Sequence, residues 1–452
     1  MKPLTLREIV DATGGTFVGD AQSLEYTVQS VARDNREVTV GALFVCFAGE
    51  RADGHDFADD AIARGAVCVL CEREIDATPH IRVDSTAAAL AQIAARYRDK
   101  FDIPIIGVVG SVGKTTVKNM LESVLSQRFC AFVTQGNLNN EIGLPLSILQ
   151  IGAEHEIAVV EMGISDFGEM SRLGAVARPT ICVMTRIAEA HLENLRDLDG
   201  VLLAKSEVFA HMPPDGLAVL NGDDAKLAAF DQRIPRVLYG TSPQCPYRAE
   251  NITAHGTDGV TFDVVTPTAR FSASIPAYGA HIPSAALAAV AVADALGMDA
   301  DEIQRGLTMY ATVAGRANAV RTGYLTVIDD CYNANPASMR NALKSLQKLD
   351  PRRVAILGDM LELGGDSNEL HREIGLLATE CCDVVICCGR CAEFIFKGVI
   401  ASNRGTEVYH FPFRDALLAR LPSLLRRGDT VLVKASHSMR FGEIVSAAME
   451  LR

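Results

Sequence analysis

The chain has 452 residues, which at roughly 100 to 200 residues per domain predicts two to four domains, each large enough for its own core. Against 56 Asp plus Glu there are 43 Lys plus Arg, a net charge of −13 that argues against a nucleic-acid partner. With 22% charged and 48% hydrophobic residues the chain is globular and not disordered. No stretch approaches about 20 uninterrupted apolar residues, so no membrane span is expected; the richest, Ala285 to Ala293, stops at Asp294. The opening MKPLTLREIVDATGG sets Arg7, Glu8 and Asp11 among its few apolar residues and has no signal-peptide hydrophobic region, so a cytoplasmic location is expected.

The first region, residues 1–101, reads as a small α/β domain. Short helices (LREIVDATG, DFADDAIARG) alternate with short strands (ALFVCFAG, AVCVLCE), and an amphipathic helix, TAAALAQIAARYRDK, closes the region. The twelve cysteines are expected to be reduced in a chain without a secretion signal. Two C-x-x-C spacings occur, at Cys68 with Cys71 and at Cys388 with Cys391. The first lies in a strand, where residues three apart face opposite sides and cannot share a zinc ion.

From residue 102 to 313 the pattern is apolar strand, glycine turn, helix. IPIIGVVG leads into TTVKNMLESVLSQR, EIAVVEMG into DFGEMSRLGAVA, and PTICVMTRI into a helix running through Lys205. Such alternation predicts a mostly parallel sheet with helices on both faces. A β-rich insertion (GVTFDVVTP, ARFSASIPAYG) and the helix SAALAAVAVADALG follow, and a turn near Gly315 marks the next boundary. Over residues 314–452, LTVIDD, RVAILGD, DVVICCG and DTVLVKAS alternate with helices, which predicts a second doubly wound sheet with ligands at the carboxyl ends of its strands.

The strongest motif is GVVGSVGKTT, because it follows a strand and opens a helix. Backbone N–H groups of Gly110, Ser111, Gly113 and Thr116 can close on phosphate oxygens, Lys114 can reach the terminal phosphates, and Thr115 can ligate magnesium. Val108 occupies the first glycine position of the usual spacing, and a glycine turn with a surface lysine is the competing reading. Glu161 ends the next strand, where its carboxylate either holds magnesium or is merely solvated. His191 and Lys205 complete a possible phosphate and metal cluster; in isolation either is an ordinary surface residue. IDDCYNANPASM places Asp329 and Asp330 at a strand end, fit for a ribose hydroxyl or magnesium-bound water, with Asn333 and Asn335 as turn or cap residues. A capped helix start explains that segment equally well. LGDMLELGG and LVKASHSM repeat the combination of strand end and polar loop.

Over nearly its whole length the chain resembles the ATP-dependent Mur ligases, whose members have three domains: a small α/β domain, a central phosphate-loop ATPase domain and a Rossmann-like domain that closes over ATP and the incoming amine. LFVCFAGERADGHDF (43–57) is similar to the family's uridine-nucleotide pocket, which implies nucleotide contacts from Asp34, Arg36, Asp53, Gly54 and His55. TQGNLNNEIGLP (134–145) resembles the amide-rich loop facing the muramoyl substrate, with Asn137, Asn139 and Asn140. AHLENLRDLDGVLLAKSEVF (190–209) resembles the segment with the metal-binding histidine and a lysine that becomes carbamylated. DDCYNANP, LGDMLELG with His371 downstream, and LVKASHSM match the carboxy-terminal set. By resemblance Arg316, Asp330 and Asn333 serve ATP, and Asn335, Asp359, Lys434 and Ser436 serve the substrates. NANP and GDMLELG point to the branch that joins D-alanyl-D-alanine to UDP-N-acetylmuramoyl-tripeptide, and the D-N-P-R signature of the diaminopimelate-adding enzyme is absent.

The resemblance implies ATP and two magnesium ions, one held by Thr115 and Glu161 and the second by His191 and carbamylated Lys205. It also implies an acyl phosphate formed from ATP and then attacked by the amine, in a monomer whose domains close by rotation near Gly315 and Arg316. Four positions depart from the family pattern: Asn35 stands for a serine, Ala285 for an asparagine near the adenine, His437 for an arginine and Gly442 for a glutamate. The competing functions are a ligase for another amino acid or a polyglutamate chain, and a non-catalytic Mur-like nucleotide-binding subunit.

Overall fold

A computed structural model describes residues 1–49, 52–231, 233–350 and 352–452. Glu50 and Arg51, inside the expected uridine motif, lie outside the described residues. The amino-terminal strands form a five-stranded sheet in the order Thr16–Val18, His80–Arg82, Cys68–Cys71, Ala42–Val45, Ser30–Ala32. Cys68 packs into a core shared with the central sheet while Cys71 packs into a separate core beneath the helix Ala58–Ala63, so the two thiols face opposite sides as the strand period requires.

The central sheet has nine strands. Ile105–Val109 lies between Ile157–Glu161 and Ile181–Met184 and pairs with both in parallel. The chain leaves Ile105–Val109 for the Ala131–Val133 edge and later returns to the opposite side, so its carboxyl end sits where the strand order reverses, the usual place for a ligand in an open α/β sheet. The β-rich segment is no separate insertion: Tyr247–Ala254 joins the same sheet in parallel beside Arg236–Gly240, and Val260–Val265 and Arg270–Ile275 extend it further by antiparallel pairing. Val260–Val265 alternates buried and half-buried residues because one face alone is covered, and helix Ile282–Ala295 covers it with almost wholly apolar residues.

The last sheet has six strands, ordered Asn318–Arg321, Thr326–Asp329, Thr430–Lys434, Arg353–Gly358, Val384–Cys388, Glu407–Phe411. Thr430–Lys434 is last in the chain yet inserts between Thr326–Asp329 and Arg353–Gly358, in parallel with both. This pairing gathers the loops that begin at Asp330, Asp359 and Ala435 at one end of the sheet. Among the described residues no helix is long and apolar enough to cross a membrane.

Candidate active site

Strand Ile105–Val109 is buried throughout, and Val108 belongs to it, so the phosphate loop starts at Gly110 rather than at the usual first glycine. Gly110 has φ +150° and sits so close to Thr185 that an added Cβ would lie 2.0 Å from Thr185 Oγ1. The loop is pinned by Thr185 Oγ1 donating to the Val112 carbonyl (2.6 Å), Ser111 N–H donating to the Arg186 carbonyl (2.8 Å) and Ala188 N–H donating to Ser111 Oγ (3.1 Å). Gly113, at φ +85°, then starts helix Lys114–Leu125, whose first N–H groups have no helical partners and favour an anion. Lys114 Nζ donates to the Gly110 carbonyl (2.7 Å), and burial lowers its pKa.

Glu161, the buried last residue of its strand, accepts from Thr115 Oγ1 (3.0 Å) and from Asn139 Nδ2 (2.8 Å). Arg316 reaches across from the last sheet to donate to Thr115 Oγ1 (3.0 Å), its guanidinium 3.8 Å from the centre of the Tyr332 ring. Asp330 pairs with Lys434 Nζ (2.8 Å), which also donates to the Asn333 carbonyl (2.9 Å). Lys434 is thereby committed to binding its neighbouring loop together.

His191 has φ +54° and pairs through Nδ1 with Glu362 (2.6 Å). Burial lowers the His191 pKa, and the Lys205 and Lys114 charges act in the same direction against Glu362. The expected helix through Lys205 is broken: Leu192–Leu195 ends at Arg196, with φ +72°, and Asp197 caps a new helix, Leu198–Ser206. This break turns Lys205 inward. It is 1% exposed, burial holds its pKa far below the ordinary lysine value, and it has no ion-pair partner among the described residues.

A cavity of about 880 Å³ joins these groups. Its walls include Ser111, Gly113, Lys114, Thr115, Thr116, Asn137, Asn139, Asn140, Glu161, His191, Arg316, Asp330, Asn333, Asn335 and Lys434, and the amino-terminal region reaches it at Ala87. Gly110 and Lys205 lie behind the walls. Asn335 also caps helix Pro336–Leu346, so cap and cavity wall are one residue. Ala285 lines the cavity beside Ser284, His281 and Tyr278, leaving a methyl group where the family pattern has an amide. Sequence reasoning passed over Tyr332, Tyr278 and Glu362; the first and last stood inside motifs it had singled out.

Other expected residues lie apart from this cavity. Asp34 pairs with Arg36 (2.5 Å), whose hydrogen bonds hold its carboxyl down at about 2. Asn35 donates instead to Asp60 (2.7 Å), so its amide is engaged away from Asp34 and Arg36. His55 is held between Asp53 (2.6 Å) and the Glu72 N–H (2.9 Å), and Gly54 N–H donates to the Phe47 carbonyl (2.8 Å). Asp359 accepts from the Ala392 and Arg390 N–H groups, and Ser436 Oγ accepts from Leu361 N–H (3.0 Å). Asp359, His371 and Cys391 lie close enough together for a metal, yet His371 accepts from Met360 N–H and donates to the Ser367 carbonyl, leaving no ring nitrogen free.

Three families match the chain in sequence: the Mur ligase family catalytic domain over residues 27–98, the Mur ligase middle domain over 108–293, and the Mur ligase glutamate ligase domain over 315–437. The UDP-N-acetylmuramoyl-tripeptide–D-alanyl-D-alanine ligase of Escherichia coli strain K12 is 35% identical, covering 100% of this chain and 99% of its own. The crystal structure of MurF from Acinetobacter baumannii superposes with a TM-score of 0.91 at 30% identity, over 100% of this chain and 99% of that one. MurF ligase from Thermotoga maritima in complex with ADP has a TM-score of 0.84 at 27% identity, over 94% and 97%.

Proposed function

The chain belongs to the Mur ligase family, and on that premise we propose that it joins D-alanyl-D-alanine to UDP-N-acetylmuramoyl-tripeptide at the expense of ATP, releasing ADP and phosphate. The observation that carries the reading is the single cavity in which Lys114, Thr115 and Glu161 of the central region meet Arg316, Asp330 and Asn333 from the loops of the last one. A carboxylate is a poor electrophile. Phosphorylation makes it an acyl phosphate, and the dipeptide amine then attacks the carbonyl and expels phosphate. The phosphate-loop N–H groups, Lys114 and Arg316 offset the charge of the transferring phosphoryl group, and Asn139 orients Glu161.

The donor set fits magnesium. Glu161 and Thr115 supply hard oxygen atoms, His191 keeps an unshared ring nitrogen, and Lys205 is buried where the neutral amine, the form that captures carbon dioxide, is favoured. We assign one magnesium ion to Thr115 and Glu161 and a second to His191 and carbamylated Lys205, where they would neutralise charge between the two anionic reactants. Residues 1–101 would take the uridine nucleotide through Asp34, Arg36, Asp53, Gly54 and His55. Residues 102–313 would hold ATP and the muramoyl peptide, the latter beside Asn137 and Asn140. Residues 314–452 would close over both. One chain lines the whole cavity, which supports a monomer, and nucleotide-linked precursors support a cytoplasmic location. Incubation with ATP, the tripeptide nucleotide and D-alanyl-D-alanine, with glutamate as a competing amine, should give the pentapeptide nucleotide by mass. A glutamyl product, or none from a folded chain, would refute the assignment.

A further inference from the structure

His191 and Glu362 belong to different sheets, and each holds left-handed backbone, at φ +54° and φ +63°. Residues bearing a Cβ adopt that conformation rarely, so both are held by what surrounds them. On the His191 side, its carbonyl accepts from Asn194 and Leu195 N–H at 3.1 and 2.9 Å. On the other side the loop bearing Glu362 is pinned at three neighbours: Asp359 to the Ala392 N–H, Met360 N–H to His371, and Leu361 N–H to Ser436 Oγ. Gly364 lies against the Glu193 backbone, so loop and histidine segment are packed as well as bonded. With both backbones fixed, the direction of the His191 ring is decided by the one bond its Nδ1 makes to Glu362, at 2.6 Å. His191 lines the large cavity and Glu362 does not.

We propose that Glu362 is a positioning residue: when the last body closes on the central one, its carboxylate accepts the Nδ1–H of His191 and holds the imidazole in the tautomer whose Nε2 carries the free lone pair. Ligating histidines are oriented in this way when the second nitrogen donates to a carboxylate. Because the carboxylate comes from the other body, an open molecule leaves the ring unheld. Closure and readiness of the His191 site are therefore one event. The inference rests on the role given to His191 above. Asp359, Met360 and Leu361 then serve to hold Glu362, which accounts for the GDMLELG loop being bonded to Ala392, His371 and Ser436 while standing apart from the main cavity.

The test uses the full chain labelled with 15N-histidine, which carries ten histidines, in magnesium and a non-hydrolysable ATP analogue. Long-range proton–nitrogen spectra report the tautomer of His191, identified by its loss in His191→Asn. Glu362→Ala should lose the single Nδ1–H tautomer and raise the magnesium concentration needed for half-maximal analogue binding about 10- to 100-fold. Glu362→Gln keeps a carbonyl acceptor and should retain the tautomer with a smaller magnesium shift. Arg340→Ala breaks the separate ion pair to Glu189 (3.2 Å) and should leave the tautomer unchanged. An unchanged tautomer in Glu362→Ala, or an equal change in Arg340→Ala, overturns the proposal. Glu362 is exposed, so its variants should melt like the parent protein. Failure of the parent to form pentapeptide product, with the tautomer response intact, would refute the ligase reading and leave this inference standing.

Discussion

Replacing Gly110 by alanine tests the phosphate loop without removing any charged group. The new Cβ would sit 2.0 Å from Thr185 Oγ1 and 3.2 Å from the Arg186 nitrogen, at a φ of +150°. Left-handed backbone costs about 1 to 2 kcal/mol for an alanine. Overpacking adds about 1 to 3 kcal/mol, and displacing Thr185 Oγ1 from the Val112 carbonyl forfeits a further 1 kcal/mol or so. All of that falls on the loop meant to receive phosphate, so ADP affinity should drop at least about 100-fold, the equivalent of nearly 3 kcal/mol. Calorimetric titration with ADP measures the loss. Thr185→Ala in the same chain removes the oxygen that is struck, so the double variant should recover about 1 kcal/mol or more relative to additivity. ADP binding within threefold of the parent in Gly110→Ala, or strictly additive losses, would refute the account.

Three further substitutions probe the rest of the site. Lys114→Ala should abolish ligation in a chain with an unchanged melting temperature, since Lys114 is the phosphate loop's own cation; near-normal turnover would remove it from the mechanism. Lys205→Ala should be inactive and partly rescued by a short carboxylic acid, whereas full activity would reject the carbamate. In protein freed of carbon dioxide and magnesium, where Lys205 is the unmodified amine, Lys205→Met should raise the melting temperature at neutral pH. The buried lysine titrates far lower folded than unfolded, so stability is fully present above the unfolded value of about 10.4 and declines as pH falls toward the folded one. The gain from methionine should therefore shrink as pH rises to 10, and a pH-independent difference would contradict the buried neutral amine. Lys434→Met should cost about 3 kcal/mol by leaving Asp330 without its cation, read from chemical denaturation followed in the last body; a neutral result would mean that the ion pair contributes nothing.

The strand and helix alternation of the central and last regions was legible because it is a local property, set by runs such as IIGVV and VVICC that are buried on both faces. Pairing order was not, since it depends on contacts between distant segments. Nothing within DTVLVKAS says that it will lie between LTVIDD and RVAILGD, and GVTFDVV carries the same alternation whether it forms its own sheet or an edge of another. The helix break at Arg196 escaped for a different reason: LENLRDLDG contains good helix formers, and Asp197 as a cap for Leu198–Ser206 overrides them.

The same distinction runs through the site. Phosphate-loop residues were found because their chemistry is written in contiguous sequence. Glu362 and Tyr332 act on partners in other elements, Glu362 on His191 and Tyr332 on Arg316, so no spacing rule within one segment reveals them. Arg316 itself was reached through resemblance alone, since an arginine after a glycine turn carries no local signature. Yet it donates to Thr115, and Thr115 donates to Glu161, so one chain of hydrogen bonds runs from the last sheet through the phosphate loop to the carboxylate assigned to magnesium. A ligase that must exclude water from an acyl phosphate gains from this arrangement. On the closure proposed above, withdrawing Arg316 and Glu362 would leave the central body its nucleotide loop but take away one cation over Thr115 and the carboxylate on His191, so phosphoryl transfer would be disfavoured until closure shelters its product.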